Sequence, residues 1–169
     1  MSRFTALPAG LAFHHPVALV ATWFGAGLIR PAPGTWGSLA AIPFAVAIVH
    51  LLGAPALLLA ALASFAAGIW AAGRYGAASG KDDAGEIVID EVAAMWLVLA
   101  ALPMSPINWI AGFVLFRIYD IWKPWPIRYV ERRFKGGAGV MADDMVAAVY
   151  AVIAFIAIDI LITLIKASL

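Results

Sequence analysis

MVAAVYAVIAFIAIDILITLI, from Met145 to Ile165, carries a single charged side chain, Asp159. A helix needs roughly 20 apolar residues to cross the ~30 Å hydrocarbon core of a bilayer, and this stretch supplies them. APALLLAALASFAAGIWAAG, from Ala54 to Gly73, does so with no charge at all. Three shorter apolar runs, Gly37 to Leu52, Val92 to Leu102 and Ile107 to Trp122, are bounded by Gly, Pro or charge. The chain as a whole agrees: 64% of its 169 residues are hydrophobic, 12% are charged, and the mean hydropathy is +0.96. That is too apolar for a soluble domain, so most side chains face lipid. The expected fold is all-α, a polytopic membrane helical bundle of about five spans. Val17 to Ile29 is too short to span and reads as an interfacial or re-entrant helix.

No repeat or linker divides residues 1–169, which read as one membrane-embedded domain. Arg3, with its Pro- and Gly-broken continuation, lacks the basic start and small-residue cleavage site of a secretory signal and is expected to stay in the mature protein. With no cysteine, disulfides, a thiolate nucleophile and Cys-ligated zinc are excluded. A net charge of +1 gives no reason to expect nucleic acid, and a membrane surface or anionic headgroup is the expected partner.

The charges are not scattered. Every Asp and Glu except Asp159, and every Lys and Arg except Arg3 and Lys166, falls within residues 30–38, 74–91 or 117–144. Gly53 with Pro55, and Pro103 with Pro106, mark two uncharged hairpin turns between the apolar runs. Threading five spans through these turns brings the three polar segments to one membrane face, which the positive-inside rule makes cytoplasmic. The expectation is an ionic site on that face.

Each polar segment offers candidates. PAPGTWGS, Pro31 to Ser38, precedes an apolar helix; Thr35 and Ser38 are expected to cap it, and Gly34 with the first amides suits a phosphate. Taken alone, such a turn is also what ordinary helix entries carry. In GEIVIDE, Gly85 to Glu91, the spacing puts Glu86 and Asp90 on one helix face with Glu91 a third of a turn round. Like charges there repel unless a cation lies between them, and a hard divalent ion is the economical choice. The competing reading is a solvated helix start favoured by the dipole. FRIYDIWKPWPIR, Phe116 to Arg128, sets Asp120 three residues after Arg117 and three before Lys123, so cation and anion share a face. Trp122 and Trp125 read as an interfacial belt, and Pro124 and Pro126 turn Arg128, Arg132 and Arg133 along the surface. GGAGVMADD, Gly136 to Asp144, reads as a glycine turn before the last helix, one acid ligating and the other capping.

Four ordered blocks, GAGLIRPAPGTWGSLAAIP, IVIDEVAAMW, FRIYDIWKPWPIR and GGAGVMADD, resemble the bacterial phosphatidylglycerophosphatase A family from about Trp23 to Tyr150. Ala93, Ala94 and Tyr119 depart from the family pattern but leave every candidate polar residue in place. The resemblance implies a multi-pass enzyme of the bacterial cytoplasmic membrane, with its active site on the cytoplasmic face. It implies hydrolysis of phosphatidylglycerophosphate to phosphatidylglycerol and phosphate, with Mg²⁺ as cofactor and an anionic phospholipid as substrate. Carried onto this chain, it implies a metal held by Asp90, Glu91, Asp120 and one or both of Asp143 and Asp144. Asp90, Glu91, Asp120, Lys123 and Asp144 are then the catalytic set, and Gly34, Thr35, Ser38, Arg117, Lys123 and Arg128 the phosphate-binding set. Attack by water directly or through a phospho-enzyme is left open, as are metal number and oligomeric state.

Other classes fit less well. No DxDx[TV] stretch exists for an aspartyl-phosphate enzyme, and His14, His15 and His50 are placed for structural or interfacial roles. An ion-coupled transporter would string its acids along a pathway, yet only Asp159 lies deep in a span. A phosphatidyl-group transferase would carry an Asp-Gly-x-x-Ala-Arg stretch, which is absent.

Overall fold

The computed structural model describes residues 3–168. These form α1 (Pro16–Ala21), a single 3₁₀ turn (Ala26–Leu28), α2 (Pro33–Leu52), α3 (Ala54–Ser79), α4 (Ile89–Ala101), α5 (Pro106–Trp122), α6 (Ile127–Arg133) and α7 (Gly136–Ala167). Among the described residues, strand-like pairing is confined to an isolated bridge between Phe4 and Ile29. The all-α expectation therefore holds.

Among the described residues, three helices are long and apolar enough to cross a membrane: α2, α3 and α7, with 20, 26 and 32 residues. With 13 residues, α4 is too short by that measure, and α5 with 17 falls just under it, so length and composition alone do not reach five spans. What α4 lacks in length it makes up in burial. Ile89, Val92, Met95, Trp96, Val98 and Leu99 are all shielded, because α2, α3, α5 and α7 pack around it. A helix apolar on every face belongs in the middle of a bundle. Trp96 Nε1 ties it to α2 by donating to the Ala41 carbonyl at 2.9 Å.

Small residues set how closely the helices approach. A methyl group placed on Gly68 would strike the Met141 sulfur, and one on Gly137 the Ile69 carbonyl, so α3 and α7 meet almost backbone to backbone. On Gly112 it would lie 2.8 Å from Leu102 Cδ2, which seats α5 against α4.

Several local expectations are corrected. Residues 17–29 are not one helix: α1 stops at Ala21, and Trp23, Phe24 and Gly25 turn the chain with positive φ before the 3₁₀ turn. α2 starts at Pro33, earlier than expected, because proline's missing N–H is no loss at the first helical position. Thr35 and Ser38 therefore lie inside the helix and do not cap it; Ser38 Oγ donates back to the Gly34 carbonyl at 2.9 Å. Glu86 precedes α4, so it shares no helix face with Asp90. α7 begins at Gly136, and the glycine run is its first turns rather than a loop before it. Neither Asp143 nor Asp144 caps that helix; both sit about two turns inside it.

Candidate active site

The site forms where the N-terminal turns of α2 and α4, the last two turns of α5 and the part of α7 about two turns from its start converge. The loop from Gly80 to Val88 brings α4 into place. Gly80, with φ 72°, ends α3 in the left-handed region, and Val88 N donates to the Ala21 carbonyl at 2.8 Å. Gly27 leaves room for the Glu86 carbonyl and Gly37 for the Val88 side chain. The first turn of α4 is thereby pressed against the first turn of α2, and a methyl group on Gly34 would overlap Glu91 Oε1. Gly34 thus fits by what it lacks.

Asp90, Glu91 and Asp144 each present a carboxylate oxygen within 4.8 Å of the others. Asp90 and Asp144 are only 8% and 3% exposed, so water does little to screen the repulsion. At that separation it is on the order of 3 kcal/mol per pair for an effective dielectric near 20. Asp90 Oδ1, Glu91 Oε2 and Asp144 Oδ2 are buried and without a hydrogen-bond partner among the described residues. Orphaned buried oxygens of one charge are what a hard cation satisfies, so the donor set fits Mg²⁺.

Two cations flank the acids. Arg117 Nη1 pairs with Asp120 Oδ2 at 2.8 Å, approaches Glu91 Oε1 at 3.9 Å and donates to Ser38 Oγ at 3.5 Å. The i,i+3 spacing expected to bring Arg117 and Asp120 together does so. Lys123, at the end of α5 with φ 46°, takes a different partner from the one its spacing suggested. Its ammonium donates to Asp143 Oδ2 at 2.6 Å and Glu131 Oε1 at 2.8 Å, which joins α5, α6 and α7. Burial works against its charge, but the hydrogen bonds to Asp143 and Glu131 outweigh that and push its pKa up.

The predicted residues thus divide. Asp90, Glu91 and Asp144 cluster, with Asp120, Arg117, Ser38 and Gly34 adjoining; Asp143 turns to Lys123. Thr35 is half-buried, and its amide is used by the Ala32 carbonyl. Arg128 is exposed and bonds the Trp122 carbonyl at 3.5 Å. It shares a cavity of about 470 Å³ with Lys123 and Arg132, beside the cluster rather than in it. Sequence reasoning missed Glu131, eight residues beyond Lys123 across two prolines, where no helical period connects them. It also missed Asp83, which joins Glu131 and Asp143 around a cavity of about 260 Å³.

A family model described as phosphatidylglycerophosphatase A matches residues 19–159, which contain every residue of this site. A Haemophilus influenzae phosphatidylglycerophosphatase A is 46% identical over 86% of this chain and 90% of its own length. An Escherichia coli protein of the same name is 44% identical over 82% of this chain and 81% of its own. A Bacteroides thetaiotaomicron relative, 44% identical over 80% of this chain and 88% of its own, is provisionally named a phosphatidylinositol-3-phosphatase. No solved structure matches. With most of the chain matched both to the family model and to relatives far above chance identity, this protein is an enzyme of the phosphatidylglycerophosphatase A family.

Proposed function

We propose that the chain hydrolyses phosphatidylglycerophosphate to phosphatidylglycerol and phosphate, using Mg²⁺ held by Asp90, Glu91 and Asp144. The observation that carries this reading is the trio of buried carboxylates with unpartnered oxygens beside Arg117. Bound there, Mg²⁺ supplies charge neutralisation and polarisation of a phosphoryl oxygen. Arg117, already braced by Asp120 and Ser38, presents its guanidinium to a phosphate without reorganisation. Lys123 adds a second positive charge, and Asp143 keeps that ammonium aimed along the α7 side of the site. Hydrolysis joins a water oxygen to phosphorus, breaks the phosphorus–oxygen bond to glycerol and returns a proton to the glycerol oxygen. Asp120 is the remaining carboxylate at the cluster and the residue we assign to orient the incoming or departing oxygen.

The clustering of charge supports a multi-pass protein of the bacterial cytoplasmic membrane with this site at the cytoplasmic face. α4 and α5 then complete five spans, α4 as the shielded central helix. The test is phosphate release by the purified protein from phosphatidylglycerophosphate and, in parallel, from phosphatidylinositol 3-phosphate. We expect turnover of the first with Mg²⁺, loss in EDTA and recovery on adding Mg²⁺ back. Preference for the inositol lipid would overturn the substrate assignment, and full turnover in EDTA the metal.

A further inference from the structure

α2 and α5 both lean on α4 but scarcely touch each other, and between them lies an apolar groove of about 600 Å³. Leu39, Ile42 and Val46 line it from α2, and Trp109, Ile110 and Phe113 from α5. Leu39, Ile42 and Val46 recur every three or four positions, and Trp109 and Ile110 stand four and three positions before Phe113, so the two helices present facing stripes. The volume falls within the usual range of a small-molecule site. Grooves between membrane helices are normally filled by lipid, so what matters is where this one leads. Its upper end is the phosphate site: Leu39 directly follows Ser38, and Phe113 lies one turn before Arg117. Ser38 and Arg117 are the pair that bridges the same two helices, at 3.5 Å. Phe113 also borders a second apolar cleft, of about 410 Å³, whose wall includes Arg117 itself. Arg117 Nε is buried and has no partner among the described residues, which leaves a donor free at that end. From Leu39 to His50 the α2 wall runs about 16 Å, close to the ~15 Å depth of one leaflet.

We propose that the α2–α5 groove seats one acyl chain of the phospholipid substrate, so that the lipid enters laterally with its headgroup at the Ser38–Arg117 end. The proposal rests on the lipid-phosphatase reading above. Because lipid tails are as apolar as the groove, seating gains little from hydrophobic transfer. The groove acts by orienting the substrate, and its effect belongs in the rate on lipid rather than in membrane attachment.

The experiment uses the full chain in mixed vesicles with phosphatidylglycerophosphate bearing a diazirine midway along one acyl chain. A phosphatidylcholine with the same label, at equal mole fraction, serves as reference. After illumination, adducts from the phosphatidylglycerophosphate probe should concentrate in residues 39–50 and 104–113, several-fold over the reference lipid. Val46→Trp or Ile110→Trp, both at exposed groove-lining positions, should lower kcat/KM on the diacyl substrate by about tenfold, or ~1.4 kcal/mol. Leu59→Trp, on the exposed face of α3, should not. Adducts spread evenly over the outer faces of α3 and α7, or equal for both lipids, would overturn the groove as a substrate seat. So would groove-filling variants that turn over lipid normally. If the wild-type chain released no phosphate from the same lipid, the phosphatase reading itself would fall, whatever the adduct map.

Discussion

Gly34 and Glu91 stand 57 positions apart in sequence, yet one exists in its present form because of the other. A methyl group at 34 would collide with the Glu91 carboxylate and lie 3.2 Å from Arg117 Nη1. Gly34→Ala should therefore fold, since alanine favours helix, while displacing Glu91 and cutting kcat by tenfold or more. Wild-type turnover in a variant of normal thermal stability would show that Glu91 needs no fixed position. Asp120→Asn removes a charge at constant size and should cost orders of magnitude in kcat with expression retained; near-normal turnover would reduce Asp120 to a structural partner of Arg117. At this scale the sequence was partly legible. Arg117 and Asp120 are three residues apart on one helix, so local spacing sufficed. Lys123 stands equally close in sequence to Asp120 but pairs with Asp143 and Glu131, because its left-handed backbone turns the chain off the helix axis at that residue. Arg128 shows the same limit: membership in a sequence block with Asp120 did not bring it to the carboxylates.

At the scale of elements, helix existence was readable from apolar runs and helix starts were not. α2 and α7 both begin earlier than their glycines and prolines suggested, since Pro33 fits a first turn and the glycines at 137 and 139 are needed for close packing. The consequence for α7 is chemical. Asp143 and Asp144 lie too far inside the helix to serve as end-of-helix acids, so the ordinary dipole explanation no longer accounts for them. α6 is the most weakly secured element near the site. It has seven residues and is held to the rest partly through the Lys123–Glu131 pair. Glu131 is 42% exposed, so the pair contributes at most about 1 kcal/mol. Glu131→Gln should accordingly change global thermal stability little, yet speed tryptic cleavage after Arg132 and Arg133 by several-fold. An unchanged cleavage rate would mean that α6 is held by Ile127 and its apolar contacts alone. Asp143→Asn, which releases the other side of Lys123, should reduce turnover as well.

Across the whole molecule, helix lengths and charge positions describe the same boundary. At ~1.5 Å per residue α7 runs about 48 Å, well beyond the ~30 Å hydrocarbon core. Its apolar part, 145–165, matches that core, which leaves Gly136 to Asp144 projecting past it. α3 divides in the same way, its uncharged stretch 54–73 followed by Arg74 to Ser79. Both projections point to the end where the carboxylates and Arg117 meet, so a site that must reach a headgroup phosphate is placed by helix excess rather than by loops. The sidedness of charge was therefore legible in the sequence even where individual contacts were not. It also makes the proposed orientation testable: if α2, α3, α4, α5 and α7 each cross, the end of α3 and the end of α7 face opposite sides. The chain has no native cysteine, so Ala78→Cys and Ser168→Cys, each at an exposed position, provide unique labels. A membrane-impermeant maleimide added to intact spheroplasts should label residue 168 and spare residue 78, and inverted vesicles should give the reverse. Both labelled from one side would mean an even number of crossings. Only α4, α5 and α7 lie between the two labels, so the helix then left out of the count would be α4 or α5, the two that fall short of a full span by length; α1 precedes both labels and cannot alter their relation.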